Sequence, residues 1–174
     1  MKKIILGLMS LVSVSAHSHV VLETQTAEVG SYYKAVLKVS HGCEGSAIKK
    51  IVVQIPDGFQ GAKPMVKPGW NIAIKKEKLA VPYTSHGKTI DQDTREVVWD
   101  GGLLPNAYYD EFVVVGKLPE KAGKIYWKVK QICEKGEIDW SQIPVGSQSL
   151  RDLEYPAAVL NLTKPQADEH HHKH

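Results

Sequence analysis

The 174-residue chain has little of what several protein classes require. Its two cysteines are too few for a disulfide-dense small scaffold or a four-thiolate zinc site. Its 22 basic and 19 acidic residues nearly balance, so no excess of positive charge favours nucleic-acid binding. The G-x-S-x-G, H-E-x-x-H, phosphate-loop and dinucleotide motifs are missing from the sequence. We therefore expect neither a nucleic-acid-binding protein nor an enzyme of these common classes.

Residues 1–18 have the pattern of an export signal. Two lysines precede an 11-residue apolar run, which is too short for a membrane-spanning helix of about 20 residues and is typical of a cleaved signal peptide. Cleavage after residue 16 leaves His17 first, and cleavage after residue 18 leaves His19 first. Both alternatives give the mature chain an amino-terminal histidine. Loss of the two lysines leaves 20 basic against 19 acidic residues, a net charge of +1.

No second long apolar run follows, and the carboxy terminus carries no hydrophobic anchor. We therefore expect a soluble exported protein without a membrane anchor. Export places Cys43 and Cys133, 90 residues apart, in an oxidising compartment, where a disulfide is the expected pairing. The alternative is that both cysteines act as soft thiolate ligands of copper.

Short apolar and β-branched runs dominate the body of the chain. Several alternate apolar and polar residues, which predicts half-buried strands, and proline and glycine separate them. We predict one domain over 19–163, an all-β antiparallel sandwich of immunoglobulin-like type, followed by a His-rich flexible tail over 164–174. The predicted strands cover 20–26, 32–39, 47–55, 71–76, 95–99, 111–115, 125–133 and 158–162.

The new amino terminus is the first candidate metal site. A free α-amine and the imidazole of the same histidine can form a chelate ring around one ion, and such nitrogen ligands suit Cu(II). If the chain begins at His17, then His19 is third from the amine and can bind Cu(II) through the intervening backbone nitrogens. The alternative is that both histidines merely flank the cleavage site in a frayed end.

Three further places combine metal-ligating or aromatic residues. The turn over 41–46 holds His41 and Glu44 beside Cys43, and Trp140 lies in a polar segment over 134–141. Either place alone is also compatible with ordinary solvated or packed residues. The His-rich composition of the tail is typical of a metal-binding segment. The alternative is a purification tag. The histidines of the tail are His170, His171, His172 and His174. The remaining tryptophans, Trp70, Trp99 and Trp127, are predicted to lie in the core.

Six motifs in order resemble those of the YcnI-like copper-binding family over nearly the whole mature chain. They are HVVLE (19–23), HGCEGS (41–46), KPGW (67–70), WDGG (99–102), YYDEF (108–112) and QIC (131–133) followed by Trp140. The resemblance implies an immunoglobulin-like fold outside the cytoplasm and a Cu(II) site called a monohistidine brace. It implies that His19 binds through its amine and imidazole, that Glu44 completes the coordination, and that Trp140 lies beside the metal.

The sequence departs from that pattern at His17, which precedes the matching histidine, and at His41, which can add to or alter the coordination. We predict an exported Cu(II) carrier, not an enzyme. By resemblance, its partners are PCuAC-type periplasmic chaperones or copper-import membrane proteins. Two alternatives stay open: a histidine-brace oxidase acting on polysaccharide, which needs His41 as a second histidine, and a metal-free scaffold module.

Overall fold

The computed structural model describes residues 19–165. The predicted signal peptide, its cleavage sites, His17 and the tail histidines His170, His171, His172 and His174 lie outside the described residues. Within 19–165, no helix is long and apolar enough to cross a lipid bilayer.

In the part of the chain that the structure describes, eleven strands form two packed sheets. In chain order they are β1 (Val21–Leu22), β2 (Thr26–Glu28), β3 (Tyr32–Val39), β4 (Ile48–Gln54), β5 (Gln60–Pro64), β6 (Asn71–Ser85), β7 (Lys88–Leu104), β8 (Asp110–Lys117), β9 (Gly123–Cys133), β10 (Glu137–Trp140) and β11 (Ala158–Thr163). One sheet has the order β1–β3–β8–β5, and the other has the order β2–β11–β9–β4–β7–β6. β10 pairs with the second half of β9, beyond the part that pairs with β11.

The space between the sheets is filled by inward-facing side chains of alternate strand positions. Large aromatic rings meet edge to face there: Phe59 and Trp127 at 5.0 Å, and Trp99 and Phe112 at 5.4 Å between ring centroids. Each fully buried side chain of this size contributes about 1.5–3 kcal/mol through the removal of apolar surface from water. The predicted core positions of Trp99 and Trp127 are confirmed, and Trp70 packs partly buried against this core.

The predicted sandwich is confirmed, with two local differences at its first strand. The expected strand over 20–26 is two strands, because the chain crosses from one sheet to the other after β1. β1 pairs with β3, whereas β2 pairs with β11. The β2–β11 pairing is parallel, so the second sheet is not wholly antiparallel as predicted.

The long hairpin of β6 and β7 was predicted only at its base. Residues 77–92 are largely exposed on both faces, so they lack the apolar alternation by which a half-buried strand is recognised. A two-residue turn joins the strands, since Ser85 pairs with Lys88. His86 and Gly87 adopt φ of 47° and 74° in that turn, as hairpin turns with positive φ at both central residues require. The short strands β5 and β10 were also not predicted.

Candidate metal centre

A tight turn after β3 carries the predicted carboxylate ligand. The segment Cys43–Gly45 forms one 3-10 turn, and Glu44 within it has the left-handed φ and ψ of 48° and 38°. This conformation costs a residue with a side chain about 1–2 kcal/mol, so the surrounding contacts must hold it. A Cβ on Gly42 would lie only 1.7 Å from the Ser46 carbonyl oxygen, so glycine is required there.

A disulfide ties this turn to the second sheet. Cys43 and Cys133 are bonded, which confirms the predicted pairing, with an S–S distance of 2.08 Å. Cys133 is the last residue of β9, so the bond fixes Glu44, the residue after Cys43, relative to that strand. In this oxidised chain the two sulfur atoms are not thiolate ligands.

Trp140 ends β10 opposite Val129 of β9, and only 2% of its surface is exposed. Its indole Nε1 donates a hydrogen bond to the Oε1 atom of Gln131, a residue that is itself 1% exposed. The Nε2 atom of Gln131 donates in turn to the His41 carbonyl oxygen at 2.9 Å. Gln131 therefore joins the tryptophan to the turn that carries the candidate ligands.

Three side chains surround the Trp140 indole edge to face. The ring centroids of His19, His41 and Tyr155 lie 5.6, 6.3 and 5.6 Å from that of Trp140. His41, Glu44 and Trp140 also line one open cavity of about 430 Å³. Two predicted ligands and the predicted tryptophan are thus brought together around a single space.

His19 lies next to this arrangement but outside the cavity. It lines a smaller space of about 100 Å³, with Pro156 and Ala157 among its walls. Its half-buried ring contacts the Trp140 indole edge to face. The backbone nitrogen of His19 is here an amide, since residue 18 precedes it in the full sequence.

The charge of Glu44 acts on Tyr155, which lines the same cavity. The pKa of Tyr155 is raised, first by its hydrogen bond to Glu154 and by the charge of that carboxylate, then by burial and by the charge of Glu44. A cation placed between Glu44 and Tyr155 would oppose this effect. Two carboxylates, Glu154 and Glu44, therefore act on Tyr155, which lines this cavity.

Among residues 19–165, no three His, Cys, Asp or Glu side chains are gathered closely enough to hold a metal ion. The donors around Trp140 are nevertheless imidazoles and a carboxylate, which Cu(II) accepts. An α-amine would be added only when cleavage makes His19 the first residue. Within 19–165 the side chains around Trp140 therefore have donor atoms that suit Cu(II), but as placed they do not close around an ion.

The fold and the cavity define the class of protein. A protein from Nocardia farcinica, described as uncharacterized with an immunoglobulin-like fold, has a crystal structure that matches with a TM-score of 0.63. The match covers 84% of this chain and 99% of that chain at 22% identity. The chain is accordingly an immunoglobulin-like sandwich with imidazole and carboxylate groups around a buried tryptophan.

The family follows from the sequence match. Residues 19–162 match the family described as a domain of unknown function, DUF1775, and the chain belongs to this family. The copper-binding protein CutI of Bacillus subtilis (strain 168) is 26% identical to this chain over an alignment of 174 positions, and the match covers 95% of this chain and 74% of CutI. These matches confirm the resemblance to the YcnI-like family.

Proposed function

We propose that this protein is an exported Cu(II)-binding protein that carries copper in the periplasm. The observation that carries the proposal is the position of buried Trp140, which contacts the His19 ring and lines the same cavity as Glu44. The name of CutI, a copper-binding relative, supports the choice of metal. The signal-peptide pattern of residues 1–18 supports export.

The proposed centre forms in two steps. Signal-peptide cleavage first converts the backbone amide of His19 into an amine, which chelates Cu(II) together with the imidazole of the same residue. Glu44 then supplies a carboxylate from the rigid turn, and Trp140 covers one side of the ion. If cleavage leaves His17 first, the ion binds between that amine and the His19 imidazole through the intervening backbone nitrogens.

A carrier must accept copper and release it to a recipient. A site whose first ligand is the first residue of the chain can open by movement of that residue alone, while Val20 and the strands behind it stay packed in the core. Trp140 limits the open coordination positions and so opposes redox chemistry at the ion. The recipients proposed for this carrier are a PCuAC-type periplasmic chaperone or a copper-import membrane protein.

One observation favours a second candidate function, a histidine-brace oxidase. The His41 ring, 6.3 Å from Trp140, is placed to supply the second histidine that such an enzyme needs. Oxidation of a polysaccharide by the copper-loaded protein with reductant and peroxide would support the oxidase. Copper binding without any such oxidation would support the carrier.

The decisive experiment compares two forms of the mature chain, one with a free α-amine on His19 and one with that amine acetylated. Equilibrium dialysis is expected to show one tightly bound Cu(II) in the free form and a loss of at least about tenfold in affinity after acetylation, since the chelate is broken. Glu44→Gln is expected to weaken binding, whereas His86→Ala in the exposed hairpin turn serves as the matched control.

Two results would contradict the proposal. Equal affinity in the acetylated form would exclude the amine as a ligand, and the absence of stoichiometric copper in the free form would favour the metal-free scaffold. The mass of the protein secreted by its own host identifies the first residue. A mature chain that begins with neither His17 nor His19 would also contradict the proposal.

A further inference from the structure

An open space, the hairpin cleft, separates the end of the β6–β7 hairpin from the edge of the first sheet. Residues 83–86 of the hairpin form one wall, and Tyr32, Gln60, Lys63 and Lys117 of the sheet form the other. The cleft has a volume of about 580 Å³, against about 430 Å³ for the cavity at the candidate metal centre. Different residues line the two spaces, so the role of the cleft does not depend on the metal.

One hydrogen-bond network fixes the hairpin against β5, the edge strand of the first sheet. Asp93 of β7 is 8% exposed, and its Oδ2 atom accepts from the Tyr83 hydroxyl at 2.8 Å and from the Gly61 N–H at 2.7 Å. Its Oδ1 atom accepts from the Thr94 N–H at 2.7 Å. Hydrogen bonds to a buried carboxylate are among the stronger ones in proteins. Both walls of the cleft are therefore in place before a ligand arrives.

Lysines are concentrated on the sheet side of the cleft. Lys117 of β8 pairs with Tyr32 of β3, and two residues away Val115 pairs with Lys34 of β3 and with Lys63 of β5. Residues two apart on a strand share a face, so three lysines lie within two rows of the outer face. Of the described residues, none with a carboxylate lines the cleft.

These lysines are available to a ligand. Among residues 19–165, no carboxylate lies within ion-pair distance of Lys34 or Lys63. Lys117 pairs with Glu120 at 2.9 Å, but both side chains are exposed enough for the pair to be worth little and to exchange with another carboxylate. Residues 84–85 of the hairpin wall add two hydroxyl groups that can donate to an anion.

We propose that the hairpin cleft binds an acidic peptide segment of a partner protein. The ligand is anionic because lysines and hydroxyl groups line the cleft without a carboxylate. The donors belong to two facing walls, so protruding side chains reach both of them, whereas the flat surface of a membrane does not. The lysines are spread over three strands, so several carboxylates in series engage more of them than one small anion does.

A titration with an acidic peptide tests the proposal. The protein is the full-length mature chain beginning at residue 19, and the probe is a fluorescently labelled hexaglutamate peptide followed by anisotropy. Binding is expected at about 20 mM salt. It is expected to weaken by at least about tenfold at about 200 mM salt, because salt screens exposed charges.

Two pairs of substitutions separate local contact from net charge. Lys63→Gln with Lys117→Gln is expected to weaken binding by about tenfold, since two of the charge contacts are lost. Lys49→Gln with Lys124→Gln is the matched control, because it removes the same charge from exposed positions of the other sheet. The control pair is expected to change the affinity by at most about twofold. Thermal unfolding of each pair shows whether the sandwich is intact.

Backbone amide NMR of the parent protein locates the peptide without any substitution. Shifts are expected to concentrate at residues 60–63, residues 83–86 and Lys117. Absence of peptide binding, shifts elsewhere, or equal losses in the two substitution pairs would overturn the inference.

Two further probes distinguish other sources of negative charge. Inorganic phosphate that binds as tightly as the peptide would make the cleft a site for a small anion. Phosphatidylglycerol vesicles that bind the parent but not the Lys63→Gln, Lys117→Gln protein would make it a membrane contact. Either result would overturn the inference, and neither bears on copper binding.

Discussion

At the scale of single residues, Gln131 is the polar exception in an apolar row. On β9 the side chains of Trp127, Val129, Gln131 and Cys133 are all buried by the alternation of the strand. A buried amide is stable only when its polar atoms are hydrogen-bonded. Gln131 meets this condition by accepting from the Trp140 indole and donating to the His41 carbonyl.

We predict that Gln131→Met destabilises the protein by about 2–4 kcal/mol. Methionine keeps the volume and flexibility of the side chain, but it leaves two buried groups without partners, each at a cost of about 1–3 kcal/mol. Urea unfolding measures the difference. The matched control is Gln92→Met at an exposed position of β7, where a change within about 0.5 kcal/mol is expected.

An equal effect of both substitutions would show that Gln131 is not held by this network. A second readout addresses the site itself. With Trp140 and the His41 turn no longer joined, the copper spectrum of Gln131→Met is expected to broaden, because the ligands adopt more than one geometry.

The role of Gln131 was not predicted from the sequence, although a signal for it was present. A glutamine at an inward position of an alternating strand indicates a buried polar contact. Its partners, however, are 9 and 90 residues away along the chain. A strand pattern reports burial but not which distant groups meet, so only the folded structure identifies the network.

At the scale of elements, the disulfide joins the turn after β3 to the end of β9. We predict that replacing Cys43 and Cys133 together by Ala lowers the free energy of unfolding by about 2–5 kcal/mol, as is usual when a native disulfide closing a long loop is removed. Urea unfolding with and without reductant measures this. The parent should lose stability on reduction, whereas the Ala pair should be insensitive to it.

The same pair of substitutions is expected to weaken copper binding, because Glu44 follows Cys43 and depends on the turn for its left-handed conformation. Unchanged affinity in the Ala pair would contradict this, and would mean that the bonds to Ser46 and Asn106 hold the turn without the disulfide.

Strands were predicted well where one face is buried and poorly where neither is. β3 has the predicted bounds of 32–39, and its residues pack inward along the core. The outer part of the β6–β7 hairpin and the five-residue β5, which contains Gly61 and Pro64, carry no comparable apolar signal. Pairing with a neighbour, rather than side-chain pattern, makes these segments strands.

At the scale of the whole molecule, the sandwich assembles the candidate site from distant parts of the chain. His19, Glu44 and Trp140 come from the start, the first third and the last fifth of the sequence, yet all lie around one end of the two sheets. Their grouping was predicted by family resemblance and not by spacing.

One buried and one half-buried tyrosine give the stability of the domain a dependence on alkaline pH. Burial, and then the charge of Glu23, raise the pKa of Tyr33 to about 12. Burial, and then the hydrogen bond to Asp93, raise the pKa of Tyr83 to about 12. An unfolded tyrosine titrates near pH 10, so between pH about 10 and 12 the unfolded chain binds fewer protons than the folded one. Stability from these groups is therefore complete below pH 10 and is lost as the pH rises towards 12.

We predict that in Tyr33→Phe the free energy of unfolding falls less steeply between about pH 10 and 12. The difference in slope from the parent is expected to correspond to at most about one proton. The Tyr33 hydroxyl donates to the Thr24 carbonyl where the chain crosses between the sheets, so the variant is less stable below pH 10, and the slope is the diagnostic quantity. Urea unfolding from pH 9 to 12 measures it, with the non-titrating surface change Met65→Leu as control. A slope equal to that of the parent would show that folding does not raise the pKa of Tyr33.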